Sequence, residues 1–289
     1  MMVRRTSWQR GFSLIELVLV IVIVGVLAAT ASLFLKPAID AYLATQRRAN
    51  LSNKADTAFR KMARDIHSAV PNSIRWPGNQ CLELVPTSTG GRFRQAADTV
   101  NGGSTPLLIS QLVTGFDVLG TLSATPAVND WVVIDNQNGN DVYAGSNRAQ
   151  ITALATPLTA LGSLTIALGS TGVQFPAGYT GGRFVVVPYN GGAPTVSYFC
   201  SGTGLDASGN GTGSLYRINQ GFNASYPSAC PSNTAGAALV VDRVQSCNFV
   251  YNASQDGTLQ SGYVYLQMQL TQGNESVVLS YGVHVDNVP

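Results

Sequence analysis

A chain of 289 residues is long enough for one large domain or two small ones and can bury a sizeable core. Only 11% of its residues are charged and 30 are glycine, a balance common in β-rich exported proteins and low for a cytosolic enzyme. The formal net charge of +2 belongs to the first residues. Without Arg4, Arg5 and Arg10, 14 basic residues face 15 acidic ones, which argues against a nucleic-acid surface.

The N-terminus sets three arginines before an uncharged apolar run at 17–35, and no acidic residue precedes Glu16. Nineteen residues make roughly 28 Å of helix, close to the hydrocarbon thickness of a bilayer. Three readings compete. The segment could be a secretory signal cut at the A-x-A-like site Ala29-Thr30-Ala31, a plain membrane anchor, or a segment cut before the apolar run. Glu16 favours the last. A carboxylate at the start of the apolar run does not help a secretory signal, and apolar residues continue past Ala31 through Leu33-Phe34-Leu35. An acidic residue in a membrane segment costs ~2.5–3.5 kcal/mol near the centre and less near an end, which marks Glu16 as a functional candidate.

Arg10-Gly11-Phe12-Ser13-Leu14-Ile15-Glu16-Leu17 resembles the prepilin leader and N-terminus of type IV pilins, minor pilins and type II secretion pseudopilins. The resemblance implies leader cleavage between Gly11 and Phe12 by a prepilin peptidase, N-methylation of Phe12, and pairing of Glu16 with a neighbouring subunit's terminal amine. It also implies partners: other pilin subunits through the N-terminal helix, the inner-membrane assembly platform, and membrane lipids before assembly. Physical chemistry is consistent with these roles. Gly11 gives an unhindered cleavage site, and a carboxylate one helical turn from a new amine can turn two costly charges into one pair. The arginines hold the N-terminus in the cytoplasm. The expected localisation is therefore a single-pass inner-membrane protein with a periplasmic C-terminal domain, later a filament at the cell surface.

Four segments follow from this: a leader at 1–11, a transmembrane and assembly helix at 12–36, an amphipathic continuation at 37–70, and a β-rich domain at 71–289. In the continuation Tyr42, Leu43, Leu51, Phe59, Met62, Ile66 and Val70 recur at near-helical spacing, with Arg47, Arg48, Lys54, Arg60 and Arg64 between them. This predicts an apolar stripe packed on the chain's own domain. Pro37 would bend the helix, Pro71 and Asn72 would end it, and from Phe12 to Val70 it would reach roughly 88 Å.

Strand periodicity takes over after Pro71. Short β-branched or aromatic runs at 82–85, 131–134, 164–168, 184–187 and 196–199 are bounded by Gly, Pro and Asn. Near the C-terminus Val264, Leu266, Met268 and Leu270 alternate with polar partners. The turn Thr271-Gln272-Gly273-Asn274 follows, and the alternation resumes from Val277 to Val285. That pattern predicts a half-buried antiparallel hairpin. Gly/Asn/Ser-rich stretches at 87–105, 136–147, 201–213 and 219–236 read as loops, and 90–180 reads as an inserted β subdomain. The fold class is α+β, a long N-terminal helix on an antiparallel β-rich domain.

Segments 130–134, 143–149, 196–200, 215–217, 244–251 and 283–289 together are similar to the large minor pilins of mannose-sensitive haemagglutinin (MSHA) pili. Tyr198 with Leu215-Tyr216-Arg217 also resembles J-type type II secretion pseudopilins. These resemblances imply a minor pilin acting in assembly or initiation at or near a filament tip, with a J-type pseudopilin or a soluble periplasmic binding protein as alternatives.

Cys81, Cys200, Cys230 and Cys247 all follow the apolar run, none in CxxC spacing, and only His67 and His284 could assist them. Two disulfides formed in an oxidising compartment fit better than zinc. Of three pairings, the expected one is Cys200–Cys230, closing a Gly/Ser-rich loop around the Leu215 strand, with Cys81–Cys247. The oxygen-rich loops 135–141 and 206–211 lack EF-hand spacing and read as turns. No Gly-x-Ser-x-Gly elbow occurs, so neither catalysis nor a metal or cofactor is expected.

Overall fold

The computed structural model describes residues 11–178, 181–253 and 261–286. The leader arginines at 4, 5 and 10, and the last three residues of the 283–289 segment, lie outside them. The described chain is α+β: one long helix and an antiparallel β-rich domain.

Helix α1 (Leu14–His67) is helical throughout, Pro37 included. Two compact units divide it: Met1–Asn50 and Leu51–Pro289. In the second unit Leu51, Ala55, Ala58, Phe59, Met62 and Ile66 are buried, at the spacing that puts them on one face. Tyr42 and Leu43, expected on that stripe, are exposed instead. The alanines, too small to signal a stripe, do much of the packing.

After α1 the chain forms β1 (Arg75–Gly78) and β2 (Cys81–Leu84). It then builds β3 (Thr89–Phe93), β4 (Leu112–Val113), β5 (Gly115–Leu119), β6 (Trp131–Val133), the single turn α2 (Asp141–Ala144), β7 (Arg148–Gln150), β8 (Ala153–Ala155), β9 (Leu164–Ala167), β10 (Val173–Gln174) and β11 (Arg183–Val187). The run closes with β12 (Thr195–Ser201), β13 (Gly213–Gln220), β14 (Ala238–Asn252), β15 (Ser261–Gln272) and β16 (Glu275–Asp286).

Two seven-stranded antiparallel sheets result. The first runs β1-β2-β12-β13-β14-β15-β16 and the second β7-β6-β11-β3-β5-β9-β8. In the first, β2 pairs directly with β12, so the whole second sheet is inserted between two neighbouring strands. Residues 89–93 therefore correct the loop reading of that stretch. Gly90 and Gly91 look like turn residues, but they are strand glycines crossed closely by β11. A Cβ on Gly91 would lie 3.3 Å from the Phe184 ring.

Each sheet has its own core. The first packs Leu82, Leu84, Tyr198, Leu215, Phe249, Leu266 and Met268 against the buried face of α1. Polar ties fix that helix: the Tyr198 hydroxyl donates to Asp65 Oδ2 at 2.7 Å, and Arg217 Nε reaches the same oxygen at 2.9 Å. The second core gathers Phe93, Phe116, Phe184, Ile166 and Val186 on one face of its sheet. A smaller cluster of Val70, Val85, Val133, Val142, Tyr143 and Val187 fills the seam between the sheets.

Candidate assembly site on the N-terminal helix

Gly11, Phe12 and Ser13 precede the helix, and Phe12 is 80% exposed. Among the described residues, none other than its chain neighbours comes within 4 Å of a Cβ built on Gly11, so the Gly11–Phe12 bond is sterically open there. Ser13 caps α1: its hydroxyl oxygen accepts the Glu16 backbone N–H at 3.3 Å. Ser13 and Glu16 thus stand three apart in capping-box spacing, a local role that the sequence reading did not assign to Ser13. The reciprocal half of the box is missing among the described residues. The Glu16 carboxylate makes no hydrogen bond or ion pair there, although a negative charge in the first helical turn is favoured by the helix dipole. Cap and carboxylate are therefore separable. The backbone N–H of residue 16 starts the helix, and the side chain remains available.

From Leu17 to Leu35 the helix is uncharged and predominantly apolar on every side. It is long and apolar enough to cross a membrane, with a mean hydropathy of 2.9 and none of that window buried within the chain. Its hydroxyls are neutralised locally. Thr30 Oγ1 donates to the carbonyls of Val26 and Leu27, and Ser32 Oγ to that of Ala28, so neither adds an unsatisfied donor to the apolar surface.

Elsewhere the sequence-predicted residues are placed differently. All four cysteines are in disulfides, but the pairs are Cys81–Cys230 and Cys200–Cys247, not Cys200–Cys230 and Cys81–Cys247. Two features explain the correction. The segment after β13 folds back over the β1 edge, where Tyr226 accepts the Trp76 N–H and Arg75 holds the carbonyls of Asn223 and Ser225, and this brings Cys230 to Cys81. Strand β14 breaks register between Val244 and Ser246, beside Arg243 at φ +63°. Its outer half then turns back to the β1–β2 turn, where the Phe249 N–H donates to Asn79 O, and Cys247 meets Cys200.

In the two oxygen-rich loops, Asp206 and Asp141 use their carboxylates internally, whereas Asp135 does not. Asp206 Oδ1 accepts the N–H groups of Ser208 and Asn210, and Asp141 Oδ2 that of Asn138. Those contacts hold Asp206 below the usual carboxylate range, the Asn210 N–H contributing most. Among the described residues no three His, Cys, Asp or Glu side chains gather as a metal site. His284 packs against Tyr263 with ring centroids 5.2 Å apart, and His67 lines a cavity at the end of α1.

Sequence reasoning missed a buried cation cluster at the seam. Arg75 has no exposed surface; it lies 3.4 Å over the Tyr143 ring, donates to Asn140 and faces Glu83 at 3.5 Å. Arg148 is sandwiched between Trp131 and Phe222, at 4.4 and 3.8 Å from their ring centroids. Single arginines next to scattered aromatics carry no sequence signal, because the topology alone brings them together.

Residues 9–32 match the prokaryotic N-terminal methylation motif, the leader of type IV pilin-like prepilins. With the capped apolar helix, the motif supports a type IV pilin-like or pseudopilin protein. It implies processing by prepilin peptidase and assembly with other pilins. No curated protein and no solved structure matches the chain.

Proposed function

We propose that this chain is a minor pilin of a type IV pilus of the MSHA kind, similar to the large minor pilin called MshO, placed at or near the filament tip and acting in assembly or initiation. The observation that carries the reading is the methylation motif on an uncovered apolar helix, followed by a domain enlarged by a whole inserted sheet. A subunit of that bulk suits a position used once better than one repeated along a shaft, where every copy would have to pack it.

The mechanism is assembly rather than catalysis. The arginine-flanked N-terminus stays cytoplasmic while the β domain is exported, and α1 rests in inner-membrane lipid. Cleavage between Gly11 and Phe12 then frees an amine that is methylated. Glu16 pairs with such an amine on a neighbouring subunit as the helix leaves lipid, engaged by the assembly platform, for the filament core. A J-type pseudopilin of type II secretion shares these steps and differs in cargo.

Mature N-terminal sequencing should begin at a methylated Phe12, and a start at Ser32 would overturn the pilin reading. Deletion of the gene separates the two systems. Lost piliation with intact exoprotein secretion supports the pilus, and the reverse supports the pseudopilin.

A further inference from the structure

We propose that the cavity between the second sheet and the end of α1 is a binding site for an acidic sugar residue, its carboxylate held between the guanidiniums of Arg92 and Arg183. The inference concerns the β domain alone and does not depend on the chain's place in a filament.

Arg92 on β3 and Arg183 on β11 are direct register partners, so their side chains share a face with Cβ atoms about 4.5–5.5 Å apart. Like charges set directly opposite are unfavourable unless something offsets them. No direct contact does so among the described residues: both arginines are exposed, and no ion pair or hydrogen bond reaches either, the carboxylates of Asp135 and Asp286 lining the same cavity without pairing to them. By contrast the nearby Arg94 is tied to Asp98 and Asp117. Two unpartnered planar forks side by side have the geometry for one carboxylate.

The alternation that buries Phe93, Phe184 and Val186 in the second core puts Gly90, Val185 and Val133 on the same face as the two arginines. These form the floor of a cavity of about 410 Å³. That volume lies within the ~300–1,000 Å³ usual for small-molecule sites. Gly90 lets β3 approach β11 closely beside Arg92, since a Cβ on it would lie 2.9 Å from the Phe184 carbonyl oxygen. The end of α1 and Val285 supply further walls, while Asp135, Asp286 and His67 complete the polar lining.

Asp135 defines the second polar contact. It sits just past β6 at φ +50°, and its Oδ2 is sealed from solvent with no donor among the described residues. Its neighbour Asn136 is fully used as a brace, donating to Pro71 O and accepting from Val142 N and Asn147 Nδ2. Burial pushes the Asp135 carboxyl up to about 6, as expected of an acid that lacks a donor. The sealed Oδ2 is out of a ligand's reach, but the second carboxylate oxygen, Oδ1, is not sealed and makes no hydrogen bond among the described residues, so it can accept a ligand hydroxyl. The site therefore asks for a carboxylate, an apolar ring face and a hydroxyl on one small molecule. A pyranose uronic acid has all three, whereas inorganic anions lack the ring and neutral sugars lack the charge.

The test is calorimetric titration of the full-length chain in detergent with galacturonate, galactose and acetate. Galacturonate should saturate one site per chain, with galactose and acetate each weaker by at least about tenfold. Arg92→Gln and Arg183→Gln should each weaken galacturonate binding by about tenfold with unchanged circular dichroism, since both side chains are exposed. Four results would overturn the proposal: no saturation by about 10 mM galacturonate, equal binding of galactose, equal binding of acetate (an adventitious anion only), or full affinity in the double variant. If a variant fails to fold, the three ligands on the unmodified chain still decide the matter.

Discussion

Arg75 and Glu83 are a charged pair with almost no solvent. Their closest approach, 3.5 Å, is too long for a strong hydrogen bond, and burial raises the Glu83 carboxyl despite the arginine beside it. Such a pair adds little net stability, yet removing one member strands the other. Arg75→Met should therefore destabilise the domain by about 3–5 kcal/mol in urea unfolding, with most of the loss recovered in Arg75→Met/Glu83→Gln. A double variant no better than the single one would show that the tyrosine stack and the carbonyl contacts dominate. Asp135 gives a second prediction, with the opposite sign from an ordinary ion-paired acid. Its folded value, about 6, stands above the ordinary 3.8. Below 3.8 both states are protonated and nothing is lost. As pH rises to about 6 the unfolded chain releases its proton first, so stability falls across that window and stays lowered above it. Asp135→Asn, tolerated at positive φ, should gain about 1 kcal/mol near neutral pH, allowing for partial solvent access, and nothing below about pH 3.5. Equal gains at both pH values would exclude this account.

At the level of elements, the β15–β16 hairpin and the buried half of α1 could be read from periodicity because one face of each is covered by one continuous core. Val264, Leu266, Met268 and Leu270 alternate strictly because a one-residue slip would expose all four. The helix stripe was overextended to Tyr42 and Leu43 because periodicity registers amphipathic spacing, which continues there, although both side chains are exposed. The disulfide pairing was not legible either. It depends on the bulge in β14 and on a loop that crosses the first sheet's edge, both consequences of long-range topology. The result predicts that non-reducing peptide maps contain Cys81–Cys230 and Cys200–Cys247 peptides, and a Cys200–Cys230 peptide would contradict it. Reduction should lower stability by about 3–4 kcal/mol for each bridge, less in sum because the two closed loops overlap in sequence. Guanidinium unfolding with and without reductant measures this.

For the whole molecule, the decisive asymmetry is between an apolar helical segment that none of the described residues covers and a domain whose cores are closed. Side chains from Leu17 to Leu27 keep 46–63% of their surface where they are large and apolar. Water cannot be their solvent, so lipid or other subunits must cover them. The sequence made this legible through composition alone, and the motif at residues 9–32 gives it a chemical context. It did not reveal that Ser13, not the Glu16 side chain, starts the helix. That division makes Glu16→Ala a clean experiment. The backbone N–H of residue 16 still donates to Ser13, so the cap survives, and removing a charge favours insertion rather than opposing it. Membrane fractionation and leader cleavage at Gly11 should therefore match the parent chain. Filament entry is different, because the carboxylate's contribution arises only when another subunit's amine arrives in a low-dielectric setting. Losing even ~1.4 kcal/mol there corresponds to about tenfold fewer incorporated subunits, countable by immunoblot of sheared filaments. Glu16→Gln should fail similarly, since it keeps the shape and the hydrogen-bonding capacity but not the charge. Normal incorporation of both variants would mean that the amine finds its counter-charge elsewhere.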